Sequence, residues 1–93
     1  MKTTLLITTY NWPAALDITL RSVENQTIKP TEIIIADDGS TEETQNLIKS
    51  WQTKSKIPII HSWQEDIGFR AAASRNKAIA KSSGDYIIMI DGD

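Results

Sequence analysis

The sequence contains no cysteine and only one histidine, His61. Without cysteine, the chain has no disulfide bond and no thiolate metal site, so it is compatible with a reducing compartment. His61 has no second candidate metal ligand beside it, and we interpret it as a structural or surface residue. Ser40, His61 and an aspartate are excluded as a hydrolase triad because the sequence has no G-x-S-x-G turn.

The chain also lacks a long apolar segment. Its longest apolar runs, residues 33–36 and 87–90, are far shorter than the ~20 residues of a membrane-spanning helix. The apolar residues 5–7 near the N-terminus are too few for a signal-peptide core and are followed at once by polar threonines. We therefore expect no membrane span, and a protein that is cytoplasmic or peripheral to the inner face of the membrane.

A strong excess of one charge is absent as well. Ten basic and 12 acidic side chains give a net charge of −2, and no basic stripe is interleaved with aromatic residues. These features argue against a nucleic-acid polymer as a partner. A discrete phosphorylated ligand is compatible with them, because backbone amides and a bound cation hold phosphate without an overall basic surface.

Apolar segments and helical patterns alternate along the 93 residues, as expected for one small α/β domain. Strands are predicted at residues 4–8, 32–36, 57–60 and 86–90, the third at an edge or beginning near Pro58. The helices are predicted from Pro13, with a stripe of Leu16, Leu20 and Val23; from a Ser40–Glu43 capping box to about Trp51; and over residues 69–81, capped by Gly84. This order predicts a mostly parallel sheet covered by helices.

Polar residues follow three of the four predicted strands, at residues 9–11, 37–40 and 91–93. In parallel sheets, ligands bind beyond the carboxyl ends of the strands, so we expect these segments to meet in space. The glycine-rich turn of a dinucleotide-binding fold is absent after the first strand, which disfavours NAD or FAD binding. The aromatic residues Trp12, Trp51 and Trp63 are interpreted as core or rim packing.

Asp91 and Asp93 are two carboxylates spaced i, i+2 around Gly92. On a strand they would point the same way, and their repulsion is costly unless a cation lies between them. Oxygen ligands favour a hard ion such as Mg²⁺ or Mn²⁺, whose other positions accept phosphate oxygens. The alternative is a solvated Asp-Gly turn.

Two adjacent acids, Asp37 and Asp38, precede the helix whose cap is assigned to Ser40. Acids near a helix N-terminus are favoured by the helix dipole, so one of the two is explained as structural. The other is a candidate to accept a pyrimidine N–H or to bind ribose hydroxyls. Arg70 and Arg75 are candidates for diphosphate contacts, with a surface position or an ion pair as the alternative.

Taken together, four segments resemble family 2 glycosyltransferases of the GT-A fold. They are residues 8–11 (TTYN), residues 34–40 (IIADDGS), Gly68-Phe69-Arg70 with residues 75–78 (RNKA), and residues 84–93 (GDYIIMIDGD). The match covers essentially the whole chain, in order and at the family's spacing. It implies the Rossmann-like half of a GT-A fold, ending after the D-x-D strand.

The resemblance implies inverting transfer of a sugar from a nucleotide donor, usually a UDP-sugar, to a hydroxyl of a saccharide or glycolipid acceptor. It places Thr9, Tyr10 and Asp38 around the base, with Asp37 close by and Arg70 near the nucleotide or its phosphates. Asp91 would face ribose or metal, and Asp93 would bind the divalent cation, Mn²⁺ or Mg²⁺, that bridges the diphosphate.

In this family the acceptor-binding half and the general base follow the D-x-D motif, and the sequence ends at Asp93. We therefore expect residues 1–93 to be the nucleotide-sugar-binding part of a longer domain, prone to self-association and unable to transfer sugar alone. One alternative is a non-catalytic nucleotide- or metal-binding module. A second is a phospho-acceptor domain with Asp37, Asp38 and Asp91 as a Mg²⁺ pocket, although that pattern requires acids after the first strand.

Overall fold

The computed structural model describes residues 2–63 and 76–91, with the side chain of Asp91 excepted. The elements, in chain order, are β1 (Thr3–Thr9), α1 (Pro13–Glu24), β2 (Glu32–Asp37), α2 (Glu42–Lys54), β3 (Ile59–Trp63) and β4 (Tyr86–Asp91). Residues 76–79 are also helical. They belong to the predicted third helix, whose other residues up to position 75 lie outside the described part of the chain.

The four described strands form one parallel sheet in the order β3-β2-β1-β4. The prediction of an α/β fold with a parallel sheet is confirmed. The third strand spans Ile59–Trp63 instead of the predicted 57–60, so it starts after Pro58, and it is the outermost of the described strands on its side. The chain moves outward from β1 to β2 and β3, whereas β4 lies on the other side of β1. The boundary between β1 and β4 is therefore the switch point at which ligands of such sheets bind.

Helices α1 and α2 pack on one face of the sheet. Their apolar residues recur every three or four positions and so form one stripe on each helix. The strand residues on this face include Leu5, Ile7, Ile33 and Ile35; the helices contribute Leu16, Leu20, Val23, Ile48 and Trp51. On the opposite face, Ala78 of the helical residues 76–79 packs against Leu6, Ile34 and Ala36. All six residues of β2 are buried, as its isoleucine-rich sequence predicts.

The start of α2 differs from the prediction. Its N-cap residue is Thr41, with no side-chain capping hydrogen bond, and the helix continues past Trp51 to Lys54. The prediction of a capping box at Ser40 is therefore wrong. The Ser40 hydroxyl instead accepts a hydrogen bond from the backbone N–H of Asn11, at 2.8 Å. A contact between residues 29 positions apart has replaced the local cap that the sequence pattern suggested.

Gly84 also differs from the prediction, because it does not cap a helix. A Cβ atom at this position would lie 2.3 Å from Oγ1 of Thr4, which is closer than real side chains approach. The helical residues end at 79, with a turn at 80–81, so Gly84 lies in the connection to β4. Its missing side chain allows this connection to run directly against β1.

A buried carboxylate lies at the amino end of the sheet. Glu32, the first residue of β2, accepts hydrogen bonds from the Thr4 hydroxyl (2.6 Å) and from the backbone N–H and hydroxyl of Ser83 (both 2.8 Å). The Thr4 hydrogen bond is the main cause that lowers the pKa of Glu32 below its ordinary value of 4.5, and burial opposes it. These bonds connect β1, β2 and the segment before β4.

The last strand has an uncovered surface. Tyr86, Ile87, Ile88 and Met89 of β4 are exposed, and β4 lies at the end of the sheet opposite β3. Within the residues that the structure describes, no helix has the length and apolarity needed to cross a membrane.

Replacing Glu32 with Gln should destabilise the protein in a pH-dependent way. At neutral pH we expect the free energy of unfolding to fall by about 2 kcal/mol. Three donors face the carboxylate, and the NH₂ group of glutamine would place a fourth donor among them. Because the folded-state pKa is lowered, the advantage of the wild type is full above about pH 4.5 and shrinks as the pH falls through the lowered pKa. Urea unfolding of both proteins from pH 7 downward measures the difference in their free energies of unfolding. A difference that does not change with pH would contradict this account.

Candidate functional site

The carboxyl ends of the strands bring the predicted site segments together. Across neighbouring strands, the register pairs Trp63 with Asp37 and Asp37 with Thr9. On the other side of β1, Thr8 is paired with Asp91. All three polar segments therefore contribute a residue to one edge of the sheet, on both sides of the switch point between β1 and β4.

Asp37, the last residue of β2, is fully buried and its two carboxylate oxygens both accept hydrogen bonds. The backbone N–H of Ser40 donates to Oδ1 and Nε2–H of His61 donates to Oδ2, both at 2.8 Å. A carboxylate at 0% exposure requires such partners, because an unpaired buried charge is strongly unfavourable. Asp37 therefore holds the loop of residues 37–40, in which Gly39 has a φ of 91°.

Asp38 occupies the next position of this loop and is only partly buried. Its backbone N–H donates to the carbonyl oxygen of Thr9 at 3.1 Å, which fixes the loop against the end of β1. Of the two acids, the structure thus assigns the structural part to Asp37 and leaves Asp38 nearer the surface. That Asp37 also lies beside a bound base stays a prediction.

The segment after β1 is held against the same loop by Asn11. This residue has a φ of 45°, in the left-handed region where Asn is better tolerated than most residues. Its side-chain Oδ1 accepts a hydrogen bond from the backbone N–H of Thr41 at 2.7 Å. Its own N–H donates to the Ser40 hydroxyl. Asn11 thereby binds a free N–H at the start of α2, the function that the sequence pattern had assigned to Ser40.

Aromatic side chains surround this edge. Tyr10 and Trp63 are 43% and 41% exposed, and Trp12 is exposed as well. The indole N–H of Trp63 donates to the carbonyl oxygen of Ser40 at 3.1 Å, and its own carbonyl accepts from Lys77 Nζ at 3.0 Å. Trp51 lies in the core, whereas Trp12 and Trp63 lie on the surface, and that these two only pack at the rim stays a prediction.

Sequence reasoning missed the part of His61 in the site. The signal for it is the alternation of side chains along a strand, which places Ile59, His61 and Trp63 on one face. The register then sets this face beside that of Asp37. The pairing requires the alignment of β2 with β3, which the sequence alone does not supply.

The remaining predicted site residues are outside the description. Arg70 and Asp93 lie outside the described residues, and only the backbone of Asp91 is described. Over residues 2–63 and 76–91, no group of three or more His, Asp or Glu side chains is arranged to hold a metal ion. The metal site therefore stays a prediction that depends on Asp91 and Asp93. Carboxylate oxygens are the donors that suit Mg²⁺ or Mn²⁺.

With this geometry known, comparison with known proteins identifies the family. Residues 4–93 match the family described as Glycosyl transferase family 2. The chain belongs to glycosyl transferase family 2. The resemblance of the four sequence segments to this family is thereby confirmed.

Individual members of the family show the same similarity. The chain is 39% identical over 90 residues to hyaluronan synthase of Pasteurella multocida, covering 96% of this chain and 9% of that protein. It is 35% identical over 89 residues to validoxylamine A glucosyltransferase of Streptomyces hygroscopicus subsp. limoneus, covering 94% and 19%. The chain thus spans less than a quarter of the length of these two relatives.

Solved structures match the fold. S. aureus TarS 1-349 in complex with UDP-GlcNAc aligns with a TM-score of 0.86 and 25% identity, covering 100% of this chain and 27% of that one. The mannosyltransferase PcManGT from Pyrobaculum calidifontis, in complex with GDP-Man and Mn²⁺, aligns with a TM-score of 0.84 and 23% identity, covering 99% and 27%. The second likeness concerns the fold alone. The fold of this chain therefore matches that of GT-A glycosyltransferases.

The geometry also argues against a hydrolase triad and against a phospho-acceptor pocket. In a hydrolase triad the histidine stands between the serine and the aspartate, whereas here Asp37 stands between Ser40 and His61. A phospho-acceptor pocket requires accessible carboxylates, and Asp37 is completely buried.

The left-handed backbone at Asn11 gives a prediction from a matched pair of variants. Asn11→Gly and Asn11→Ala both lose the hydrogen bond to Thr41, but only alanine carries a Cβ into the left-handed region. We expect the alanine variant to be less stable than the glycine variant by about 1 kcal/mol. Urea unfolding with equal m-values measures the difference. Equal stabilities would show that residue 11 has another conformation.

Proposed function

We propose that residues 1–93 form the nucleotide-sugar-binding part of a longer family 2 glycosyltransferase domain. The full protein would transfer a sugar, with inversion, from a nucleotide donor to an acceptor hydroxyl of a saccharide or glycolipid. The observation that carries the proposal is the family match over residues 4–93, combined with the meeting of the motif segments at the ends of β1, β2 and β4 along one sheet edge. The short share of each relative that the chain covers supports a longer domain.

The base of the donor is proposed to bind at the ends of β1 and β2. Asp38 is partly buried and Tyr10 is exposed, so both have surface that a ligand can reach. Thr9 is buried, and its hydroxyl has no hydrogen-bond partner among the described residues. Asp38 would accept the N3–H of uracil while Tyr10 packs on the ring, and a site of pyrimidine size would favour UDP over the larger purine nucleotides. Arg70 would contact the nucleotide or its phosphates, since guanidinium suits bidentate phosphate contacts.

Asp91 and Asp93 are proposed to hold a divalent cation, Mn²⁺ or Mg²⁺. The position of β4 supports this, since its last residue lies beside Thr8 at the switch point where a diphosphate would sit. When bound, such a cation supplies Lewis-acid stabilisation of the negative charge on the departing nucleoside diphosphate. The general base that accepts the proton of the acceptor hydroxyl is expected beyond Asp93, and residues 1–93 alone should transfer no sugar.

The uncovered strand β4 supports two further parts of the proposal. In the full protein, additional chain would cover its exposed residues, Tyr86, Ile87, Ile88 and Met89. Residues 1–93 in isolation would associate with themselves through this strand, because an unpaired edge with apolar side chains invites pairing.

The location is proposed to be the cytoplasm or the inner face of the membrane, where nucleotide-sugars are available.

The first test concerns the base. UDP should bind the full-length protein more tightly than ADP or GDP, and Asp38→Asn should weaken UDP binding about tenfold through loss of a charged hydrogen bond. Isothermal titration calorimetry measures both effects. Glu43→Gln is the matched control, because Glu43 is an exposed acid on α2 near the same edge. Equal affinities for the three diphosphates would refute the base assignment.

The second test concerns the metal. Two aspartates supply only some of the six ligands that Mn²⁺ or Mg²⁺ requires, so the donor's diphosphate should complete the site. By linkage, Mn²⁺ must tighten UDP binding by the same factor by which UDP tightens Mn²⁺ binding. Asp93→Asn should reduce this coupling and abolish sugar transfer. Mass spectrometry of the product measures the transfer. Independent binding of the two ligands would contradict the shared site.

A further inference from the structure

The carboxylate of Asp37 depends on one side chain from another strand. Its Oδ1 is bound by the backbone of its own loop, at Ser40, whereas its Oδ2 is bound by His61 of β3. His61 is itself largely covered, with 18% of its side chain exposed. The histidine is therefore placed to fix Asp37 from the strand side, and it presents little surface to a ligand.

The loop of residues 37–40 is held by contacts that converge on Asp37 and Ser40. The carbonyl oxygen of Ser40 accepts hydrogen bonds from the side chains of Gln45 and Trp63. The backbone N–H of Ser40 donates to the carboxylate of Asp37. Asp38 lies between these two anchors. Its backbone position therefore depends on how Asp37 and Ser40 are fixed, in addition to its own backbone contact with Thr9.

We propose that His61 is a positioning residue of the donor site, which acts through Asp37 to set the direction in which Asp38 meets the nucleotide base. This inference rests on the proposed binding of a nucleotide at this edge. Without His61, Oδ2 of Asp37 would be a buried charged oxygen with no partner, and the carboxylate would turn toward another donor or toward water. Either movement pulls on the loop and misplaces Asp38.

Substitutions at His61 can separate positioning from simple packing. The amide nitrogen of glutamine stands the same number of bonds from Cα as Nε2 of histidine, so His61→Gln can still donate to Asp37. Asparagine is polar but one bond shorter, and His61→Asn should not reach. His61→Leu fills a similar volume and has no donor. If His61 acts only by filling space, these variants should differ in stability and not in the choice of base.

The base preference is the readout, with UDP and CDP as probes. Uracil presents an N3–H to an acidic side chain, whereas N3 of cytosine carries only a lone pair. In the full-length protein with Mn²⁺ present, calorimetry gives the ratio of the dissociation constants of CDP and UDP, and thermal unfolding identifies the folded variants. We expect His61→Asn and His61→Leu to reduce this ratio about tenfold, as the loss of a hydrogen bond to a charged group would, and His61→Gln to retain most of it.

The outcomes distinguish this inference from the proposed function. If the wild type prefers UDP and the folded asparagine or leucine variant keeps the full preference, the positioning by His61 is refuted while the base site stands. A glutamine variant as unselective as the asparagine variant would also refute it. If the wild type binds CDP as tightly as UDP, the base site itself fails, and the inference fails with it. Should the leucine variant not fold, the asparagine variant decides.

Discussion

The burial of a carboxylate at the end of β2, an inner strand of the sheet, is the constraint on which the candidate site depends. Asp37 is excluded from water, so both of its oxygens must find donors within the protein. The donors come from the following loop and from β3, which ties the conformation of residues 37–40 to the alignment of two strands. The shape of the loop is thus determined by an electrostatic requirement of the fold.

Strand β2 has a second buried carboxylate at its other end. Glu32 is satisfied by Thr4 of β1 and by Ser83 in the segment that leads into β4. Between the two acids the strand is apolar and wholly buried. Each acid collects donors from segments distant in sequence. Together they fix the ends of the strand, and so the level at which the neighbouring strands meet the ligand edge.

Much of this architecture could be predicted because its signals are local. The continuous isoleucine run predicts the buried strand β2, and the helical spacing of Leu16, Leu20 and Val23 predicts the buried stripe of α1; the structure confirms both. The cap of α2 was not, because Ser40 has a long-range partner in Asn11. The same reason hid the pairing of His61 with Asp37, which exists only once β2 and β3 are in register. The metal site at Asp91 and Asp93 is indicated by the spacing of the two carboxylates and by the family resemblance, and it remains a prediction.

The support of Asp37 divides between two kinds of donor. The donor to Oδ1 is the backbone N–H of residue 40, which every amino acid except proline possesses. The donor to Oδ2 is the ring of His61, which a single substitution can remove. Evolution can therefore exchange the side chain at position 40 without losing that bond, whereas a change at position 61 requires a compensating donor. Among relatives, residues 37 and 61 should covary, and residue 40 should be free of that link.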